Sequence, residues 1–472
     1  MQTQARTHSR SEAIHDTDRT VEETMRRIST QKTAKKVAFA TMIGTATEWY
    51  DYFLYGTASA LVFEKLFFPN FSQVAGSMAV FAVFGITLVV RPVGAAVFGH
   101  FGDRLGRKSM LVVSILVMGI GTFVIGLLPT YASVGLWAPL ALVVLRLLQG
   151  FAVGGEYGGA TTMAIEYAPL NKRGLYAAIP QVGNPLGMLL GTSTLYLFAQ
   201  LPEAQFLAWG WRVPFLLSAV MVAIGLYIRL NIAETPAFER ARAGRRQRAA
   251  PLALLWRHYR RTLVLVILAP AALNVGFYIY STWSLSYLTH QVGVPIHVPL
   301  MAVMAAAALN VFAQPLFGML SDRFGRRPVY IGGALWIGAV AFPFFWLIQT
   351  GSPLLVTLAM ILAITIGHGA TYSVQASFFS EAFDTGVRYS GLSIAYHLSA
   401  ALFSGPATFL AAALVAWTHD TWAISASIAI ASLLSVAATL GLKETSRRPM
   451  TDAPDIAGVT DNERHSAAPL VR

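Results

Sequence analysis

Apolar runs of the length that crosses a bilayer, about 20 residues, recur along most of this chain. They fall at 37–63, 74–98, 109–128, 135–160, 176–200, 211–231, 261–289, 298–320, 329–349, 353–379, 388–417 and 420–442. The pattern predicts an all-α membrane protein with twelve transmembrane helices. Polar residues are confined to short connections and to three longer stretches. These are an N-terminal segment (1–36), a basic central loop (232–260) and a tail (443–472). They divide the chain into an N-terminal six-helix half, 37–231, and a C-terminal six-helix half, 261–442.

The connections repeat. Between spans 2 and 3 the chain reads Gly99-His-Phe-Gly-Asp103-Arg104-Leu-Gly106-Arg107-Lys108. At an offset of 219 it reads Gly318-Met-Leu-Ser-Asp322-Arg323-Phe-Gly325-Arg326-Arg327. After span 4, Glu166 precedes Arg173 by seven positions; after span 10, Glu381 precedes Arg388 by seven, at an offset of 215. A charged turn used twice in register points to a duplicated architecture, two parallel six-helix pseudo-repeats. Such pairs place a substrate site near mid-membrane between the halves. The turns are therefore gating candidates, through Gly99, Asp103, Arg104, Gly106 and Arg107 in the first copy and Asp322, Arg323 and Arg326 in the second.

Charge placement orients the bundle. Of 35 Lys and Arg residues, 31 fall in the two terminal segments and the connections after spans 2, 4, 6, 8 and 10. Positive charge marks the cytoplasmic side, so both termini are expected there, in a cell (inner or plasma) membrane. The same placement accounts for the net charge of +12 without nucleic acid; the basic turns face membrane lipid. With 55% hydrophobic and 12% charged residues, the composition is far from the roughly 25% charged of a soluble domain. No cysteine is present, which excludes disulfides and thiolate metal sites. No cleavable leader is evident in the polar first thirty-odd residues.

Ionisable groups within spans are expensive and point to function. Spans 1 to 4 hold Glu48, Asp51, Arg91, Arg146 and Glu156, whereas spans 7 to 12 offer only His368 and His397 near mid-depth. Glu48 and Asp51, three apart, share one helix face. Desolvation drives an unpaired carboxylate at that depth toward its protonated form, so with Arg146 they form the candidate proton-coupling set. A salt-bridged helix contact is the plainer alternative. A buried guanidinium stays charged and needs an acid or an anionic ligand. By depth, Arg91 and Glu156 suit each other as a structural or gating pair. Arg146 and Glu156, about 15 Å apart along one helix, do not.

The candidate substrate-binding set joins Tyr52, Arg91, Arg146, Gln149 and Gln181 of the first half to Asn274, Tyr278, His368, Tyr372 and Gln375 of the second. His368, Tyr372 and Gln375 follow one helical stripe. Each alone reads equally as interhelical hydrogen-bonding glue. On span 5, Gly183, Gly187 and Gly191 recur at every fourth position, the spacing of close helix packing.

No nucleotide-binding G-x-x-x-x-G-K-[ST], H-E-x-x-H or G-x-S-x-G pattern occurs, so no enzyme and no cofactor are expected, and transport would draw on an ion gradient. The charged turns and Arg146-Leu-Leu-Gln149-Gly150 resemble the major facilitator superfamily. Glu48-Trp-Tyr-Asp51-Tyr-Phe-Leu-Tyr-Gly, Arg91-Pro-Val-Gly, Gln149-Gly-Phe-Ala-Val-Gly-Gly-Glu156-Tyr-Gly-Gly and Trp209-Gly-Trp-Arg212-Val-Pro-Phe are similar to its metabolite–proton symporters. That resemblance implies the major facilitator fold and proton-coupled uptake of a small organic acid by alternating access. The shikimate branch is matched at Gln181-Val-Gly and Arg388-Tyr-Ser-Gly391 and departed from around Asn274 to Tyr287. A zwitterionic solute or drug–proton antiport are the alternatives. The expected partners are a small organic anion and protons, with the protein acting as a monomer.

Overall fold

The computed structural model describes residues 38–105, 107–154, 157–166, 168–230, 251–384 and 387–446; the side chains of 99–111 and of a few other residues fall outside that description. Among the described residues all regular structure is helical. Helix α1 occupies 38–67 and α2 Gln73–Leu105. α3 is Arg107–Leu127, and α4 comprises Trp137–Val153 and Tyr157–Glu166. α5 comprises Arg173–Gln181 and Gly183–Ala199, and α6 occupies 203–230. In the second half α7 occupies 251–290, α8 His297–Phe324 and α9 Arg326–Gln349. α10 is Pro353–Glu381, α11 occupies 388–418 and α12 is Trp422–Gly441. Among the described residues, seven helices are single runs long and apolar enough to cross a membrane, and α6 joins them as a pair bent by 41°.

The twelve tracks follow the twelve apolar runs, with two departures. α7 begins at Pro251, ten residues ahead of its apolar run. α6 bends at Gly210–Trp211. Large apolar side chains face outward, as lipid contact requires: Trp417 is 81% exposed and Phe312 77%. The polar residues Asn310, Gln314, His368 and Gln375 are buried instead.

The duplication is visible in the backbone. α1 carries a wide π turn at Ser59–Phe63 and α7 carries one at Ile279–Trp283, an offset of 220 against the 219 of the charged turns. Each such turn inserts one residue into the helical ladder and rotates the face beyond it.

Within the first half, glycines set how close helices come. A Cβ at Gly183 would stand 2.5 Å from the Met42 carbonyl oxygen, one at Gly187 2.6 Å from the Tyr50 amide nitrogen, and one at Gly191 2.9 Å from the Tyr50 carbonyl oxygen. The span 5 ladder thus lays α5 against the backbone of α1 and holds the Glu48–Asp51 segment in place.

The second charged turn ties the halves together. Gly325, at φ 102°, adopts a conformation open to glycine and joins α8 directly to α9. Asp322 accepts hydrogen bonds from the backbone N–H groups of Gly174 (2.7 Å) and Leu175 (3.0 Å) at the start of α5, where the helix dipole favours an anion. Arg326, fully buried, donates to Asp322 (2.8 Å) and Ser321 (2.7 Å) and reaches Glu381 of α10 at 3.3 Å. Glu381 accepts from Thr445 at 2.7 Å. Beside it, Glu444 receives the backbone N–H groups of Arg326 and Arg327, each at 2.9 Å. The gating candidates Asp322 and Arg326 are therefore joined, while Arg323 turns outward over the Phe324 ring. In the first turn, Gly106 lies outside the described residues, as do the side chains of Gly99, Asp103, Arg104 and Arg107; Glu156 lies outside them too.

Three outcomes follow from these contacts. Gly187→Leu forces α5 off α1 and lowers the melting temperature in detergent by an amount equivalent to about 1–3 kcal/mol; Gly332→Ala, with open space around it, leaves it unchanged or raised. Arg326→Met removes the cation bonded to both Asp322 and Glu381 and costs about 3–5 kcal/mol in the same melt. Burial alone would raise the Glu444 carboxyl, but the N–H groups of Arg326, Arg327 and Ser446 outweigh it and hold it below the usual carboxylate range. A group depressed on folding stabilises fully above its unfolded titration and loses that stabilisation as pH falls through its folded one. Melting of the parent minus melting of Glu444→Gln is therefore expected to shrink as pH drops into the acid range, and to be constant at neutral pH and above.

Candidate functional site

Between the halves lies a small cavity lined by Thr45, Glu48 and Trp49 of α1, Tyr157 and Thr161 of α4, Pro180 and Gln181 of α5, Tyr372 of α10 and Tyr396 of α11. Its volume is about 20 Å³, room for about one water. The cavity is therefore closed around a space smaller than any metabolite. Of the residues expected on sequence grounds, Glu48, Gln181 and Tyr372 line it.

The other charged candidates gather beside it in the first half. The π face of Tyr52 has the Arg91 guanidinium 5.3 Å from its centroid and that of Arg146 at 5.9 Å. Arg146 lies closer still over Tyr55, at 3.7 Å. Its NH1 donates to Gln149 Oε1 (2.9 Å), and Gln149 Nε2 in turn donates to Thr122 Oγ1 (2.7 Å). Asp51 is 2% exposed, within electrostatic reach of Arg146 and Glu48. Arg91 interacts electrostatically with Glu48 and with the hydroxyl ends of Tyr278 and Tyr396. Several polar atoms here have no protein hydrogen-bond partner: Asp51 Oδ1, Arg91 Nε, and Arg146 Nε and NH2. These arginines present unused donors in an apolar interior. The expected Arg91–Glu156 pair falls outside the described residues.

The second half answers with neutral rings and amides. Phe277, His368 and Tyr372 stack in a row, with centroids 3.9 Å and 4.8 Å apart and planes within 18°. Tyr372 meets Trp49 edge-on across the interface at 6.2 Å. His368 Nδ1 contacts Asn310 Nδ2 at 3.2 Å, while His368 Nε2 and both polar atoms of Gln375 are buried without a partner. The stripe of His368, Tyr372 and Gln375 is thus real, but only Tyr372 opens on the cavity in this closed form. Asn274 is turned elsewhere and donates to Ser399 of α11 at 2.9 Å.

On the side away from the charged turns, aromatic rings close the interface. Tyr52 meets Tyr278 at 5.6 Å and Phe53 meets Phe277 at 5.7 Å, both edge-on. Sequence reasoning placed Tyr52 and Tyr278 in the binding set; the structure brings them together as two sides of a seal. On the other side Tyr157 and Tyr396 lie face to face, 3.5 Å apart and 6° from parallel. Tyr157 was not among the expected residues. Its signal was present in its position between two glycine pairs, Gly154-Gly155 and Gly158-Gly159, but glycine flanks do not say which way a ring points.

This architecture is known. Residues 41–405 match the family model of the Major Facilitator Superfamily. The chain is 39% identical over 420 residues to the shikimate transporter of Escherichia coli, covering 88% of this chain and 95% of that protein. It is 40% identical to the E. coli inner membrane metabolite transport protein YhjE (83% and 89%) and 34% identical to the proline/betaine transporter of Salmonella typhimurium (90% and 86%). Its fold is similar to that of the proton:xylose symporter XylE, with a TM-score of 0.71 over 89% of this chain and 98% of that one, at 18% identity. The chain belongs to the Major Facilitator Superfamily and is a multi-pass membrane transporter, not an enzyme.

Proposed function

We propose that this protein takes up a small organic acid together with protons, by alternating access of the central cavity. One observation carries the proposal. Two guanidinium groups, Arg91 and Arg146, are buried in the first half with donor atoms unused, next to a cavity wall bearing Glu48. Guanidinium forks match carboxylates, and an isolated charge in so apolar a setting is costly. A carboxylate substrate supplies the missing acceptor.

Coupling follows from competition. Glu48 and Arg91 interact in the closed form. Proton transfer to Glu48 neutralises that interaction and leaves Arg91 available to the substrate anion. Asp51 and Arg146 form a second acid–base set one turn farther along α1, a further place for the proton. Neutral rings on the facing half (Tyr372, Tyr396 and Trp49 opposite them) suit the apolar body of a compact acid. The similarity to the shikimate transporter supports a ring-bearing carboxylate as the first candidate. The clustering of basic residues at the charged-turn end supports a plasma-membrane orientation with both termini in the cytoplasm.

The test is uptake of labelled shikimate into proteoliposomes under an imposed inward proton gradient, with citrate and betaine as comparators. The gradient is expected to stimulate uptake of the preferred acid. Arg91→Gln should reduce it at least tenfold, since truncating one side of a buried charge pair costs about 2 kcal/mol or more. Glu48→Gln should bind substrate but lose the response to the gradient. Gradient-independent uptake of every acid, or full uptake by Arg91→Gln, would sink the proposal.

A further inference from the structure

The start of α7 lies outside the hydrocarbon of a bilayer. Its apolar run begins near residue 261, yet the helix begins at Pro251, and the turns between carry charge on one side. Trp256 is 68% exposed, Arg257, Arg260 and Arg261 are exposed, and Val264 continues the same face at 46% exposure. Positions 257, 260, 261 and 264 share one helix face. Val264 is apolar and outward, as a lipid-facing residue is, so the arginines stand immediately above lipid. From Arg257 to Arg261 the helix rises about 6 Å, which matches the headgroup layer of about 5–7 Å on each side of a bilayer.

The opposite face fixes this segment to the second half. Leu255 is buried in one apolar cluster with Phe383 and Leu392, and a Cβ added at Gly391 of α11 would meet Leu255 Cδ2 at 3.1 Å. The Tyr259 hydroxyl donates to Asp384, in the connection between α10 and α11. Asp384 follows Glu381, the partner of Arg326, by three residues, which puts the segment at the charged-turn end. Held in this way, the three guanidinium groups keep their spacing.

The protein itself leaves their charge unanswered. No Asp or Glu occurs from 251 to 290. Among the described residues, none of the three arginines takes part in an ion pair, and Asp384 is engaged by Tyr259. Guanidinium forks match the oxygens of a phosphate, and tryptophan settles at the membrane–water boundary.

We propose that Trp256, Arg257, Arg260 and Arg261 form a binding site for the headgroup phosphate of an anionic phospholipid, in the leaflet on the charged-turn side. A lipid fits better than a soluble anion because the face runs on without a break into Val264, where an acyl chain would lie. The site is independent of which solute is carried and of proton coupling, and its test uses no substrate.

The purified protein in detergent is titrated with short-chain phosphatidylglycerol and, in parallel, with phosphatidylcholine of the same chain length, and its melting temperature is followed. Phosphatidylglycerol is expected to raise it at the lower concentration. Arg260→Gln should weaken the apparent affinity for phosphatidylglycerol about fivefold, the worth of one arginine beside an anionic lipid surface. With Arg257→Gln, Arg260→Gln and Arg261→Gln combined, the two lipids should become indistinguishable. Lys443→Gln removes an exposed cation elsewhere and should respond as the parent does. The readout is the difference between the two lipids within each variant, so a shift in the lipid-free melt does not enter it. An equal response of the parent to both lipids overturns the assignment, as does a full preference for phosphatidylglycerol in the triple variant. An equal loss in Lys443→Gln also overturns it, and so does the same stabilisation by inorganic phosphate alone.

Discussion

Four charges held in an apolar interior govern the rest of this structure. Glu48, Asp51, Arg91 and Arg146 sum to zero when both acids are ionised, and the two cations keep their charge under all ordinary conditions. A net charge in that setting is strongly disfavoured. Adding one proton to an acid leaves the set one unit positive; adding one monovalent anion leaves it one unit negative. Only the two together restore the balance. Under the proposed function, coupled binding needs no mechanical linkage between proton and substrate, because each makes the other tolerable. The unused donors of Arg91 and Arg146 are the observation on which that proposal rests.

The division of labour between the halves follows from the same constraint. If both carried fixed charge, rocking one against the other would drag ions past each other through a medium of low dielectric constant. Here the second half meets the charged wall with rings and amides, from Phe277 and His368 to Tyr372 and Gln375. Such groups offer hydrogen bonds and flat surfaces without a charge to be matched at each step. A charged group reaches across from one half to the other at the periphery instead, where Asp322 accepts backbone N–H groups at the start of α5.

Much of this could be read along the chain. The twelve apolar runs, the duplicated Gly99 and Gly318 turns and the Gly183–Gly187–Gly191 ladder rest on spacing alone, and the helices, the Gly325 turn and the α1–α5 contact follow them. The charged residues of the first half were legible because their cost in a bilayer makes them rare. Side-chain partners were not. Asn274 and Tyr278 both lie on α7, yet one is spent on Ser399 and the other closes a seal. The wide turns at Ser59–Phe63, Ile279–Trp283 and Ile361–His368 rotate later residues away from the face that a regular 3.6-residue period assigns. His368 and Gln375 share Tyr372's stripe without lining the cavity that Tyr372 lines. Arg323 and Arg326, alike in sequence, separate because α9 begins between them.

The closed form also constrains how the transporter opens. At the charged-turn end the halves meet where Gly174 faces Gly318, with a would-be Cβ at Gly174 only 2.5 Å from the Gly318 carbonyl oxygen; on the α2–α11 seam Gly85 meets Gly405 in the same manner. Backbone surfaces of this kind have no interdigitated side chains to disengage, so they can roll or separate with little loss of dispersion energy. Among the described residues, the contacts to be broken on the charged-turn side include two charge-assisted hydrogen bonds to Asp322, each about 1.5–3 kcal/mol, and one ring stack of about 1 kcal/mol. A sum of a few kcal/mol is small enough for spontaneous domain motion on the microsecond to millisecond scale, and of the same order as the differential binding a ligand must supply to shift such an equilibrium. The fold therefore keeps its directional bonds between the halves at the periphery, on Asp322, and lets bare backbone carry the α5–α8 and α2–α11 seams.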